Sequence, residues 1–292
     1  MTGTPPTPTV YPQPWMKRIL TALILIPLVL CLVFLGSRLM VTLVVADVAA
    51  LAAWEFIRLA QKSGANPPRV ALLVAVLALF FFNYLWPDQT AAILGILSLS
   101  LIVYCTFFSP VEEMLADVAT AIFGLFYTGM TLLALPALRE DTEFNGATLV
   151  TFLLCVVWAG DIAALYIGKS LGKHKLAPTL SPNKTWEGAI GSVLGSVLVT
   201  AGLLGLANLL AGWNIERLSF HGEVWYYWLA LAVLINVAAQ VGDLAESALK
   251  RSVGVKDSGS LLPGHGGVLD RIDALLLAAP VLWYAQVIHQ HF

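Results

Sequence analysis

Long apolar runs separated by short polar links dominate the chain. A helix needs roughly 20 apolar residues to cross a bilayer, and nine runs come close to that length: residues 19–36, 39–57, 70–86, 90–108, 115–138, 147–168, 187–211, 225–247 and 269–288. A very short link around Ser37 and Arg38 joins the first two runs and predicts a tight helical hairpin. The pattern predicts an all-α fold, a polytopic integral membrane bundle of about nine transmembrane helices.

Composition supports a membrane protein and excludes an ordinary soluble domain. Hydrophobic residues make up 59% of the chain and charged residues 12%, whereas soluble domains are about 25% charged. The mean hydropathy is +0.82. Cys31, Cys105 and Cys155 all lie inside apolar runs. We interpret them as small core or lipid-facing side chains, because their spacing suggests neither a disulfide framework nor a zinc site.

The N-terminal stretch MTGTPPTPTVYPQP is rich in proline and carries no charge. Such a composition offers too little apolar surface to form a core, so it predicts a disordered proline-rich tail over residues 1–16. A cleaved signal peptide is not expected, because no small-residue cleavage site follows the first apolar run. The rest divides into N-terminal transmembrane helices, 17–146, and a C-terminal transmembrane catalytic region, 147–292.

Basic residues indicate the orientation of the bundle. With a cytoplasmic N-terminus and nine alternating spans, all of the 16 basic residues except Arg38, Arg139 and Arg217 fall on the cytoplasmic side, as the positive-inside rule requires. The C-terminus then lies outside. The two longest polar loops, 169–186 and 248–268, are cytoplasmic. We therefore expect an integral protein of a bacterial-type inner membrane, with its active site facing the cytoplasm.

A few acidic residues lie inside or at the ends of the apolar runs. They are Asp161 in the sixth run, Asp243 and Glu246 at the end of the eighth, and Asp270 and Asp273 at the start of the ninth. An acid at the centre of a membrane helix costs about 2.5–3.5 kcal/mol, and less near the interface. These side chains should therefore face protein, water or a cation. Residues three apart share a helix face, so the last two pairs can converge at one membrane depth.

Two explanations for such a convergence remain open at this stage. A bound divalent cation would relieve the repulsion between carboxylates, and hard oxygen ligands suit magnesium. Alternatively, the neighbouring Lys250, Arg251 and Arg271 neutralise the acids as ordinary interfacial ion pairs. Spacing alone does not decide between these two arrangements.

The two polar loops add groups that can bind phosphate. Ser181 and Asn183 precede a helix predicted to start near Glu187, where they can cap the helix or leave N–H groups for an anion. The second loop contains GHGG, residues 264–267, and glycines let a backbone present N–H groups to phosphate. The alternative is a basic anchor on anionic lipid with a flexible turn, and His265 alone favours a structural role.

Together these features predict a basic, glycine-rich pocket with carboxylates at the cytoplasmic membrane surface. Cations, phosphate-binding groups and acids are what a protein needs to bind a nucleotide with its metal. Neighbouring helices could admit a lipid from the side. The residues therefore indicate phosphoryl or nucleotidyl transfer to a lipid phosphate.

The segment SALKRSVGVKDSGSLLPGHGGVLDRID, residues 247–273, closely resembles the signature of the phosphatidate cytidylyltransferases, or CDP-diacylglycerol synthases. QVGDLAES, 240–247, and LSPNKTWEG, 180–188, also resemble that family. The resemblance is tight over about residues 155–275, whereas the N-terminal half is similar only in its hydrophobic, multi-span character.

The resemblance implies that CTP and phosphatidic acid are converted to CDP-diacylglycerol and pyrophosphate. It implies magnesium with a second cation, K⁺ or another Mg²⁺, and no nucleic-acid partner. The catalytic residues would be Asp243, Asp270, Asp273, Lys250 and Lys184. The metal ligands would be Asp243, Asp270, Asp273 and Glu246, with Asp161 in support. The substrate-binding residues would be Ser181, Asn183, Arg251, Lys256, Gly264, His265, Gly266, Gly267 and Arg271.

Two further expectations concern assembly and rival functions. Gly188, Gly191 and Gly195 form a small-residue stripe that indicates close helix packing within or between subunits, and a homodimer is an expectation from the family alone. A cation-coupled secondary transporter would also carry intramembrane acids, but it predicts inverted repeats, which we do not find. Another enzyme that transfers a lipid phosphate, such as a CDP-alcohol phosphatidyltransferase or a lipid kinase, is the second alternative.

Overall fold

The protein is a helical bundle in a computed structural model that describes residues 14–141, 145–213, 215, 218–220, 224–261 and 266–291. The α-helices are α1 (Pro14–Leu35), α2 (Arg38–Lys62), α3 (Arg69–Leu85), α4 (Thr90–Phe108), α5 (Met114–Gly124), α6 (Thr131–Arg139), α7 (Gly146–Leu171), α8 (Trp186–Ala211), α9 (Trp225–Ser252) and α10 (Leu269–His291). A π-helical segment, Leu125–Met130, joins α5 to α6 into one rod, and a 3-10 turn, Pro87–Gln89, precedes α4.

The predicted all-α membrane fold is confirmed. Among the described residues, seven helical stretches are long and apolar enough to cross a bilayer: Arg38–Lys62, Pro87–Phe108, Met114–Arg139, Gly146–Leu171, Trp186–Ala211, Trp225–Ser252 and Leu269–His289. The other two predicted spans lie on α1, whose described apolar part is Leu25–Leu35, and on the 17-residue α3. The total of nine crossings stays a prediction.

Several element ends differ from the sequence prediction. Helix α7 continues to Leu171 and α9 to Ser252, so the two polar loops shorten to residues 172–185 and 253–268. The first loop contains an antiparallel hairpin that we did not predict, formed by β1 (Lys175–Ala177) and β2 (Ser181–Thr185). Helix α1 begins at Pro14, a residue type that suits the first helical position. Residues 1–13 of the predicted tail lie outside the described part.

The helix ends sort into two groups that match the predicted alternation of spans. Links predicted to lie outside meet at one end, where Arg38 Nε lies 2.6 Å from Glu140 Oε1 and the Arg139 side chain donates to the Val33 carbonyl. Links predicted to be cytoplasmic meet at the other end, where Arg251 donates to the carbonyl of Leu180. The sorting is what helices of alternating direction produce. Which end faces the cytoplasm stays a prediction.

Helix α10 packs between two hydrophobic cores. Its Leu269 and Leu276 belong to a core built mainly from α2, α3, α4 and the α5–α6 rod. Its Ala278 and Leu282 belong to a second core that includes α7 and α9. The N-terminal half of the chain is therefore in direct contact with the helix on which two of the predicted site acids lie.

The predicted small-residue stripe packs within the chain. A Cβ on Gly191 would lie 2.5 Å from Ile167, and a Cβ on Gly195 would lie 2.5 Å from the Cβ of Ala163, both on α7. Asn236 on α9 donates to the hydroxyls of Ser192 and Ser196 at 2.9 and 2.8 Å. Small residues thus allow α7, α8 and α9 to approach closely. A homodimer stays a prediction.

We expect Gly195→Ala to destabilise the protein because its methyl group would separate α7 from α8. Overpacking of this kind costs about 1–3 kcal/mol. Gly202 is the matched control on the same helix, because a Cβ there has no atom within 4 Å. Gly202→Ala should gain up to about 1 kcal/mol of helix propensity. Thermal unfolding in detergent should lower Tm for the first variant only, and equal Tm values would contradict the packing role.

Candidate active site

The predicted site acids lie at one end of the bundle, where α7, α9 and α10 meet the β1–β2 hairpin. Asp161 is on α7, Asp243 and Glu246 are on the last turns of α9, and Asp270 and Asp273 open α10. The α9–α10 contact brings the two acid pairs together, as their spacing predicted.

Lys250 lies between two of these acids. Its Nζ is 2.6 Å from Oδ1 of Asp270, and it also forms an ion pair with Glu246 one turn earlier on α9. The Glu246 side chain is fully buried, and those of Asp270 and Lys250 are 7% and 12% exposed. Both acids thus form ion pairs with Lys250, one of the basic residues named in the ion-pair alternative.

Asp270 also binds the glycine-rich loop, which is the second polar loop, residues 253–268. Its carboxylate accepts hydrogen bonds from the backbone N–H of Ser258 at 3.0 Å and of Gly267 at 2.8 Å. Gly266 has φ +82°, and a Cβ there would lie 2.7 Å from Asp270 Oδ2. Only glycine combines that backbone conformation with so close an approach. Gly264 and His265 of the predicted nucleotide loop lie outside the described residues.

A second group forms around Lys184 on β2. Its Nζ lies 2.6 Å from Oδ2 of Asp243, and the two side chains are 25% and 36% exposed. Asp161 and Asp273 lie close enough to Asp243 to repel it electrostatically, and Lys184 attracts Asp161. Asp161 is exposed although it lies well inside an apolar run. An acid at this position in a membrane helix should face protein, water or a cation.

The hairpin that carries Lys184 is fixed by the start of α8. The Thr185 hydroxyl accepts from the N–H of Gly188 at 3.1 Å, so Thr185 caps α8, rather than Ser181 or Asn183 as the sequence suggested. Glu187 accepts from the backbone N–H of Lys173 at 3.1 Å and contacts Nδ1 of His174 at 2.6 Å. These contacts connect both strands to the helix. Lys184 therefore reaches Asp243 from a rigid support.

The remaining predicted substrate-binding residues surround the acids less closely. Ser181 is half-buried on β2, whereas the others are exposed, namely Asn183, Arg251, Lys256 and Arg271. Arg251 donates to the carbonyl of Leu180 at 3.3 Å and to that of Val255 at 2.9 Å, so it connects the hairpin to the second loop. Their exposure suits contact with a polar ligand that arrives from the aqueous side.

Two residues of the site come from the N-terminal half and were missed. Glu55 of α2 is buried and accepts hydrogen bonds from both ends of the glycine-rich loop. Tyr127 lies on the π-helical segment near the charges of Glu246 and Asp273, and its buried hydroxyl has no hydrogen-bond partner among the described residues. A glutamate in an apolar run was a visible signal for Glu55. A tyrosine in such a run is too common to have revealed Tyr127.

The chemistry of this cluster fits a hard divalent cation. Within the described residues, neither Asp161 nor Asp273 forms an ion pair, so the two lysines leave part of the negative charge uncompensated. Oxygen ligands are those that magnesium prefers. No group of three acids, histidines or cysteines in this part of the chain already has the arrangement of a metal site. A cation would thus require small movements of the side chains.

Comparison with known proteins shows which family the chain resembles. The model of the cytidylyltransferase family matches residues 16–289. A phosphatidate cytidylyltransferase of Pseudomonas aeruginosa is 36% identical over 282 residues, 92% of this chain and 97% of the relative. One from Synechocystis is 33% identical over 301 residues, 93% and 96% of the two chains.

A third relative is more similar over a shorter region. The phosphatidate cytidylyltransferase of Brucella melitensis is 50% identical over 163 residues, 55% of this chain. The match spans about half of that relative, 54% of its length. Together with the family match over nearly the whole sequence, these similarities establish that the chain belongs to the cytidylyltransferase family.

Proposed function

We propose that the protein is a phosphatidate cytidylyltransferase, which converts CTP and phosphatidic acid to CDP-diacylglycerol and pyrophosphate. The observation that carries the proposal is the cluster at one end of the bundle, in which lysines from the hairpin and α9 pair with acids of α9 and α10. The relatives' names supply the reaction. We place the catalytic region in residues 147–292, with the N-terminus and the site on the cytoplasmic side of a bacterial-type inner membrane.

The reaction is a displacement at the α-phosphorus of CTP. An oxygen of the lipid phosphate forms the new bond to this phosphorus, and the bond to the bridging oxygen of the β-phosphate breaks, so that pyrophosphate leaves. The lipid oxygen is already anionic and needs little help from a base. The main barrier is repulsion between two polyanions. Positive side chains reduce this repulsion, and alignment of the two phosphates lowers the entropic part of the barrier. Lys184 and Lys250, which lie within the cluster of acids, would supply that charge.

Mg²⁺ would supply further charge neutralisation at the phosphates of CTP. We propose Asp243, Asp270, Asp273 and Glu246 as its ligands, with K⁺ or another Mg²⁺ as the second cation. Asp273 is the one of these four that no lysine engages within the described residues, whereas Lys184 pairs with Asp243 and Lys250 pairs with both Glu246 and Asp270. Asp161, near Asp243, would support them.

The position of the cluster at one end of the bundle indicates how the two substrates would bind. The exposed Asn183, Arg251, Lys256 and Arg271 would contact phosphates of a nucleotide that arrives from water, together with Ser181. The glycine-rich loop, including Gly264, His265, Gly266 and Gly267, would surround the nucleotide. Phosphatidic acid would enter sideways from the bilayer, because its chains remain in the apolar layer while its phosphate reaches the interface.

Purified protein in detergent tests this proposal directly. With CTP, Mg²⁺ and phosphatidic acid it should release pyrophosphate, and omission of any one component should stop the release. Lys62→Ala, an exposed position at the end of α2, should keep at least about half of the rate, as surface substitutions usually do. Absence of pyrophosphate would contradict the proposal. Cation-driven uptake in vesicles without nucleotide turnover would instead indicate the transporter.

A further inference from the structure

Glu55 is a buried carboxylate that joins α2 to the glycine-rich loop. It is 3% exposed. Its Oε1 accepts from the N–H of Val268 at 3.0 Å, and its Oε2 accepts from the N–H of Leu269 at 2.9 Å and from the hydroxyl of Ser258 at 2.9 Å. The acceptor comes from the other half of the chain, 203 residues before Ser258. Within the described residues no lysine or arginine pairs with Glu55, so its partners are neutral donors of the loop and of the α10 N-terminus.

The same loop segments also bind Asp270. Ser258 donates its N–H to Asp270 and its hydroxyl to Glu55. Gly267 donates to Asp270, and the next N–H along the chain, that of Val268, donates to Glu55. Two carboxylates therefore accept hydrogen bonds from neighbouring groups of one loop. Asp270 in turn pairs with Lys250. If loss of the Glu55 contacts shifts the loop backbone, the hydrogen bonds that hold Asp270 beside Lys250 change as well.

Two loop glycines lie against Glu55. A Cβ on Gly259 would lie 2.4 Å from Glu55 Oε1, and one on Gly267 would lie 2.3 Å from Oε2. The absence of side chains at these two positions is what lets the carboxylate reach the backbone. A negative group is also favoured at the N-terminus of α10, where the first N–H groups have no partner within the helix.

From these contacts we infer that Glu55 is a positioning residue for the cytidylyltransfer reaction, which sets the conformation of the CTP-binding loop from outside the catalytic half. This inference rests on the proposed function. Glu55 acts through the hydroxyl of Ser258 and the backbone N–H groups of Val268 and Leu269, and it does not contact substrate itself. Loss of its charge should weaken CTP binding and leave binding of phosphatidic acid unchanged.

Glu55→Gln is the variant to measure, with Asp117→Asn as its matched control. Asp117 is also a buried carboxylate of the N-terminal half. It accepts from the N–H of Asn66 at 2.6 Å and the hydroxyl of Ser109 at 2.7 Å, and it has no hydrogen bond to the described residues of the loop. Both variants should lower Tm. Only Glu55→Gln should raise the KM for CTP, by about 10- to 100-fold, as loss of an outer supporting carboxylate does elsewhere. The KM for phosphatidic acid should not change.

The inference is overturned if the KM for CTP in Glu55→Gln equals that in Asp117→Asn, or if the KM values for both substrates rise together. If Glu55→Gln does not fold, Ser258→Ala tests the inference in its place, because it removes a single hydrogen bond to Glu55 and leaves the carboxylate unchanged. It should raise the KM for CTP at least about twofold, and an unchanged KM would overturn the inference. A wild-type protein without turnover would instead contradict the proposed function.

Discussion

Replacement of Asp243 by asparagine should abolish pyrophosphate release while the fold is retained. Asparagine keeps the size of the side chain and one oxygen, but it removes the charge that holds Lys184 Nζ at 2.6 Å and that would bind a cation. The electrostatic groups of an active site contribute about 100- to 1,000-fold each to the rate. Asp243 supports two of them, Lys184 and the proposed cation, so we expect a loss of at least about 1,000-fold in kcat. Rates are measured with saturating CTP and phosphatidic acid.

The control for this experiment is Asp88→Asn. Asp88 is an exposed acid of the turn before α4, in a link predicted to lie on the opposite side of the membrane. Its removal should leave kcat within about twofold of the wild type, as for most surface substitutions. A near-normal rate in Asp243→Asn would eliminate the role proposed for this residue. A loss of fold, detected as a lowered Tm or aggregation, would instead assign Asp243 a structural role.

The helices could be predicted from the sequence because the bilayer constrains the backbone strongly. An apolar run in lipid must satisfy every N–H and C=O internally, so helix is the available conformation. Their ends were less predictable. At Leu171 and Ser252 the helices continue past the apolar run into polar residues, since a polar side chain at the interface costs a helix little. The sequence of the short hairpin, residues 175–185, contains no pattern that predicted its strands.

For the candidate site, the sequence predicted the position of the acids better than their contacts, and whether these residues form the active site stays a prediction. Spacing on α9 and α10 correctly predicted that their acids converge, because side chains three residues apart share a face. The pairing partners were not fixed by spacing: Lys250 lies between Glu246 and Asp270, whereas Lys184 reaches Asp243 from a separate hairpin. Glu55 could have been noticed as a glutamate in an apolar run, but its contact with Ser258 could not, because a contact across 203 residues depends on how α2 packs against α10.

Replacement of Lys250 by methionine should both destabilise the protein and stop turnover. Glu246 is fully buried, and Asp270 is nearly so. Removal of the shared lysine leaves two acids without their counter-charge, and breaking a buried ion pair in this way costs about 3–5 kcal/mol. Thermal unfolding in detergent should therefore show a much lower Tm. Lys256→Met, which removes an exposed lysine of the following loop, should leave Tm unchanged.

A second substitution separates the structural from the catalytic contribution of Lys250. In Lys250→Met/Glu246→Gln the fully buried position no longer carries a charge, because glutamine is neutral and nearly the same size, and only Asp270 lacks its counter-charge. Part of the lost stability should return, since an uncharged replacement of a buried pair is often neutral. Activity should not return, because Asp270 and the nucleotide phosphates still lack the ammonium group. If the double variant is no more stable than Lys250→Met, the buried charge of Glu246 is not the source of the instability. If it regains wild-type turnover, Lys250 has no role in the reaction beyond neutralising Glu246.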